Sequence, residues 1–401
     1  MPYGFRLRVV VPALAILICG EVSRAESASS ILSNEIQTHF DAWDADDDAK
    51  LTLAELDVVV ADPAVKGKTA GVAVALRRAA RMAGPDAPLT RDRISKLLTS
   101  PTTKPAPTTK PADEHNDAES DPDAPTSRDK PGTRLDALYT SAMQRIEASS
   151  HRKLFGEGGP TLAAIDQGKI GDCFCLAPLG SMAHHKPAQL VERIKENADG
   201  TYTVLLGKNA IVVPAPTDGE LALSNAISTN GIWVNVYEKA VGISRQKKDE
   251  AGKPTSTPIA TASRGGSAGT QLAALTGNPI KRFSCTPFRD SKVSEERRAE
   301  LLGELRKLVI ETQAADRLMV CGTGAGVKVP GVTSNHAYAV LGYDEKADAI
   351  TLWNPHANHF KPKGEPGLEN GYATEGGVFT VPLDEVVKFQ GGFSFEQPPE
   401  K

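Results

Sequence analysis

Gln167-Gly168-Lys169-Ile170-Gly171-Asp172-Cys173-Phe174 is the stretch on which the fold of this chain turns. Gly168 and Gly171 give a flexible turn, Asp172 can cap a helix, and the small apolar residues 173–183 predict a buried helix that starts at the cysteine. A thiol there feels the positive end of the helix dipole. Together with a nearby imidazolium, that position lowers a cysteine pKa from about 8.5 to between about 3.5 and 7.5. Taken alone, one cysteine at a helix start reads as packing, because a free cysteine behaves as a small hydrophobe.

Two downstream segments change that balance. Ser334-Asn335-His336-Ala337-Tyr338 sets a histidine at the entry to a predicted strand over 337–343. Leu352-Trp353-Asn354-Pro355 sets an asparagine at the exit of the next, over 350–353. If those strands are antiparallel neighbours, the Asn354 carbonyl can accept from His336 and fix its ring and tautomer. Cys173, His336 and Asn354 then form a nucleophile, base and orienter. The amide of Gln167 is a candidate donor to the oxyanion formed when a thiolate attacks a carbonyl.

These segments resemble the calpain family of papain-like cysteine proteases. Residues 167–174 look like its Gln-Gly-x-x-Gly-Asp-Cys-aromatic signature, Asn335-His336-Ala337-Tyr338 like its Gly-His-Ala-Tyr, and Asn354-Pro355-His356 like its Asn-Pro-Trp. Trp233 with Glu238-Lys239-Ala240, Gly265-Gly266 with Leu275-Thr276-Gly277, and Gly377-Val378-Phe379 are also similar to family segments. Phe174 stands for the more common Trp, Asn335 for Gly, and His356 for the Trp that covers the His–Asn pair. The resemblance implies an α+β, papain-like core of two subdomains. It also implies an endopeptidase working through a thioester on Cys173, with Gln167 and the Cys173 N–H holding the oxyanion. The family binds calcium in its core, and no residue here is assigned to that. Transglutaminases and cell-wall amidases share the Cys–His logic, so acyl transfer of those kinds stays an alternative. So does a catalytically weak or inactive protease-like, calcium-dependent surface binding module.

The remaining 401-residue sequence frames that core. Arg6 and Arg8, an apolar run over 9–19 and Ser23-Arg24-Ala25 predict a signal peptide over 1–25 and an exported protein. Ile18 before Cys19 argues against a lipid anchor. No later run is long and apolar enough to span a membrane, and a net charge of −4 gives no whole-chain footprint for nucleic acid. Protein or peptide substrates are the expected partners. With Cys19 removed, Cys173, Cys175, Cys285 and Cys321 are too few and scattered for a disulfide framework, and a Cys285–Cys321 bond stays open. Apolar spacing predicts helices over 31–43, 72–82 and 91–98 in a module at 30–98. Residues 99–134, rich in Pro, Thr, Lys and Asp, predict a disordered linker. Residues 135–397 hold the enzyme domain, with a long helix over 294–318.

Within the helical module, Asp44, Asp46, Asp48, Lys50, Thr52 and Glu55 stand at ligand offsets of a twelve-residue EF-hand loop. The cation would be Ca2+, held by four carboxylates, the Lys50 carbonyl and Thr52 directly or through water. Ala49 replaces the usual glycine at a turn that favours positive φ. Residues 82–93 resemble a degenerate second hand, with Leu89-Thr90 repeating Leu51-Thr52. Because the linker is long, the module is expected to sit free of the enzyme domain, and a chain beginning near Arg134 to be active without it.

Overall fold

The Ser27 hydroxyl accepts from the N–H of Ser30 and starts helix α1 (Ala28–Trp43), which buries Leu32, Ile36 and Phe40 on one face. The computed structural model describes residues 26–84, 87–99, 133–226 and 230–399. The leader expected over 1–25 and most of the linker expected over 99–134 lie outside them. After α1, residues 50–51 form β1 (Lys50–Leu51). Thr52 and Glu55 then make a reciprocal capping box at the start of α2 (Leu53–Ala61). Helix α3 (Gly67–Ala83) leads to β2 (Leu89–Thr90) and α4 (Arg91–Thr99). Strands β1 and β2 pair antiparallel, with Leu51 opposite Leu89, as the repeat of Leu-Thr leads one to expect.

The helical module does not sit free of the enzyme domain. Every residue of α3 from Ala70 to Ala80 is buried. A helix buried on all sides, Arg77 and Arg78 included, cannot be covered by one hairpin, so its second face recruits other elements. Helix α5 (Leu135–Ala148) packs along it, and Leu138, Tyr139, Ile170, Ala222 and Leu223 join Val72 and Leu76 in one hydrophobic core. Arg78 reaches across to donate to the Leu138 carbonyl at 3.1 Å.

The first subdomain of residues 135–397 is mainly helical. Helix α6 (Cys173–His185) continues through α7 (Pro187–Arg193) into a three-stranded antiparallel sheet, β3 (Ile194–Glu196), β4 (Tyr202–Leu206) and β5 (Asn209–Val213). Then follow α8 (Asp218–Leu223), α9 (Trp233–Arg245), α10 (Pro258–Ala262) and α11 (Ala268–Thr276).

The second subdomain is a six-stranded antiparallel sheet. It contains β6 (Ile280–Ser284), β7 (Met319–Thr323), β8 (Ala337–Asp344), β9 (Ala349–Trp353), β10 (Val378–Pro382) and β11 (Gln390–Glu396), in the order β10-β9-β8-β7-β11-β6. Helix α12 (Glu295–Ala314) precedes β7, and α13 (Leu383–Phe389) precedes β11. The helix expected over 294–318 ends earlier, because Asp316 turns to φ 50° before β7 begins. Helix α6 packs against β8, which brings the two subdomains together along one seam. The architecture is α+β. Among the described residues, no helix is long and apolar enough to cross a membrane.

Candidate active site

Strands β8 and β9 are antiparallel neighbours, and their register sets Ala339 opposite Trp353. His336 immediately precedes β8 and Asn354 immediately follows β9, so both side chains come to the same end of the sheet. His336 Nε2 lies 2.8 Å from Asn354 Oδ1, with both residues buried. The N–H of His356 also donates to Asn354 Oδ1, at 3.0 Å. A backbone N–H can only donate, so Oδ1 is an acceptor, and the imidazole nitrogen facing it must carry the proton. Nδ1 is thereby left as the basic nitrogen. Asn335 adopts φ 47°, in the left-handed region. Asparagine tolerates that region better than most residues, which accounts for its standing where glycine is usual.

Cys173 approaches from the other subdomain. It is the first residue of α6, half-buried, and the backbone N–H of Ala337, next to His336, lies close enough to its sulfur to favour the thiolate. Cys173 and His336 line one cleft of about 400 Å³ between the subdomains. Desolvation pushes the thiol up to about 11, and the neighbouring Asp172 adds to the rise against the Ala337 N–H. Burial thus favours the thiol, against the lowered pKa expected at a helix start, so forming the thiolate calls for a base beside it. The His356 ring lies over His336, with centroids 4.4 Å apart and planes 35° apart, in the place expected for the tryptophan cover.

Gln167 is wholly buried, and its amide donates to the Ile170 carbonyl of its own loop at 2.8 Å. It is not among the residues lining the cleft. Its backbone N–H donates to Pro355 O at 2.8 Å, tying this loop to the turn that carries Asn354. Asp172 occupies the N-cap position, but its side chain makes no cap hydrogen bond, unlike the cap its sequence suggests. With φ −121° and ψ 23°, its carboxyl turns inward instead and meets Glu238 of α9. Burial raises both carboxyls, Asp172 to about 6 and Glu238 higher, so the pair retains a proton. Glu238 lies in the Glu-Lys-Ala segment, and nothing in sequence separation signals that it faces Asp172. Cys175, Cys285 and Cys321 are buried free thiols.

The model of the calpain family of cysteine proteases matches residues 140–365, more than half of the chain. The chain belongs to the calpain family of cysteine proteases. No curated protein matches it. The matched calpain-family segment contains Cys173, His336 and Asn354 and ends before β10, α13 and β11. A protease of this family acts on protein substrates.

In the acidic loop that precedes the calpain-family core, Asp44, Asp46 and Asp48 bring one carboxylate oxygen each within 4.8 Å of one another. Asp44 accepts from the N–H groups of Asp48 and Ala49, at 3.1 and 2.7 Å. Ala49 has φ 62°, the left-handed turn expected at that position. Glu55 reaches back to the N–H of Ala45 at 2.7 Å and to the N–H of Thr52 at 2.8 Å. Lys50 pairs with Asp48 at 2.8 Å. Desolvation, then repulsion from Asp48 and Glu55, raises Asp46, as expected where several carboxylates share one loop.

Proposed function

We propose that this protein is an exported, calcium-linked cysteine endopeptidase that cleaves peptide bonds through Cys173, His336 and Asn354. The observation that carries this reading is the fixed tautomer of His336, whose Nε2–H is committed to Asn354 Oδ1 beside a cleft shared with Cys173. His336 Nδ1 takes the thiol proton, and the sulfur attacks the peptide carbonyl carbon. The carbonyl oxygen gains the charge and is met by the Cys173 N–H; the Gln167 amide, the second donor expected from the sequence, donates to Ile170 O here and would have to turn into the cleft to reach it. The imidazolium returns the proton to the leaving amine as the C–N bond breaks, which leaves a thioester. Water adds to the thioester, His336 takes and returns its proton, and the acid product leaves with the thiol restored.

The helical module is read as an EF-hand pair with one working loop. Asp44, Asp46, Asp48 and Glu55 would hold Ca2+ with the Lys50 carbonyl and Thr52. The left-handed turn at Ala49 and the β1–β2 pairing support this. Bound calcium would neutralise the carboxylate cluster and draw the loop's oxygens together. Export rests on the leader over 1–25.

The test is labelling of the full chain with an epoxide-type thiol inhibitor alongside hydrolysis of a quenched peptide library. Labelling confined to Cys173, with hydrolysis lost in Cys173→Ala, supports the peptidase. No labelling and no hydrolysis, with calcium binding retained, favours the binding-module alternative.

A further inference from the structure

The catalytic cleft has an uneven charge. Apart from the histidine, its lining contains one ionisable side chain of fixed charge, Arg282, and no aspartate or glutamate. Arg282 sits on β6, paired with Ser394 of β11, and strand alternation points it away from the buried Phe283 and onto the face that Ser284 shares. The first turn of α11 closes over it. A Cβ on Gly269 would come within 2.3 Å of Ser394 Oγ, so the glycine lets the helix descend onto the strand. Thr270 Oγ1 accepts from Arg282 Nη2 at 2.9 Å and holds the guanidinium in place. Among the described residues no carboxylate forms an ion pair with it, and the guanidinium is exposed and held by Thr270.

We propose that Arg282 selects substrates that carry a carboxylate side chain within a residue or two of the scissile bond. This rests on the peptidase reading above. A cavity of about 400 Å³ that also holds Cys173 and His336 is short enough that a side chain reaching Arg282 belongs to a residue close to the bond attacked. A guanidinium donates in a planar fork that matches a carboxylate, and Thr270 occupies one donor only. The walls contributed by Gly266, Ala268, Gly322 and Gly392 are small, which leaves room for a glutamate or aspartate chain. A neutral isostere fills the same space without the charge.

The test uses the full chain in two assays. Binding is measured on the Cys173→Ala protein with short peptide mixtures that differ only by Glu or Gln at one fixed position, scanned along the peptide. Hydrolysis of the same mixtures by the unsubstituted protein reads kcat/KM. The expected result is a preference for Glu over Gln of about tenfold at one position, weakening as salt rises. Arg282→Gln is expected to level the preference, Arg282→Glu to invert it, and Arg282→Lys to keep part of it. Equal binding of Glu and Gln mixtures at every position overturns the proposal, as does a preference that survives Arg282→Glu. Absence of hydrolysis would count against the peptidase reading alone, since binding to the Cys173→Ala protein still decides the role of Arg282.

Discussion

The Thr217 hydroxyl donates to the Val60 carbonyl at 2.6 Å, joining residues 157 apart in sequence. Val60 belongs to α2, which follows the acidic loop. Thr217 caps α8, whose last residue, Leu223, accepts from the N–H of Lys169 at 2.6 Å, in the loop that leads to Cys173. A Cβ on Gly219 would come within 2.8 Å of Val60 O, so the contact is a close one. The helical module is thus a wall behind the Gln167 loop, and its removal is expected to cost the enzyme. A chain beginning at Arg134 would expose Leu138, Tyr139, Ile170 and Leu223, which are buried against the module. Low solubility and a loss of most peptidase activity are expected. A soluble, fully active truncated protein would return the module to the status of a free appendage. Thr217→Val, a milder change, should cost about 1 kcal/mol and lower Tm by a few degrees.

Cys173→Ala should reduce peptide hydrolysis to background. Asn354→Ala should lower kcat by about a hundredfold or more and leave measurable turnover, because an orienting group contributes less than a nucleophile. The substitution removes the acceptor from both His336 Nε2 and the His356 N–H. Unchanged kcat in Asn354→Ala would remove that residue from the mechanism.

Stability should fall as pH rises from about 4 through about 6. Burial raises Asp172 from 3.8 to about 6, so in that interval the native state keeps a proton that the unfolded chain has released. The raised Glu238 carries the same trend to higher pH. Thermal unfolding of Cys173→Ala with and without Asp172→Asn checks this. The doubly substituted protein should show a flatter dependence of Tm on pH across the interval, and parallel curves would contradict the buried acid pair.

Glu55→Gln is expected to weaken calcium binding by about tenfold or more, read by titration calorimetry, since it removes a charge and the bidentate clamp. Glutamine can still complete the capping box with Thr52, so the fold should be spared. Ala49→Gly should raise Tm slightly. Relief of a Cβ at φ 62° is worth about 1 kcal/mol. Unaltered calcium binding in Glu55→Gln would reject the loop as a calcium site.

The sequence by itself determined the elements that hold Cys173, His336 and Asn354. Small apolar residues after Cys173 made α6, the β-branched and aromatic residues after His336 and before Asn354 made β8 and β9, and Leu51 and Leu89 made the short β1–β2 pair. Those are local patterns, and their periodicity is set by backbone geometry. Only the tertiary structure decided what each element meets. It turned the Asp172 carboxyl from its cap position toward Glu238, laid the His356 ring on His336, and placed Arg282 in the same cleft as Cys173. It also brought the helical module against α5 and α8, although the intervening segment reads as a loose tether. Such contacts join residues far apart in the chain, and burial of apolar surface that no single hairpin can cover drives them, so no local spacing records them.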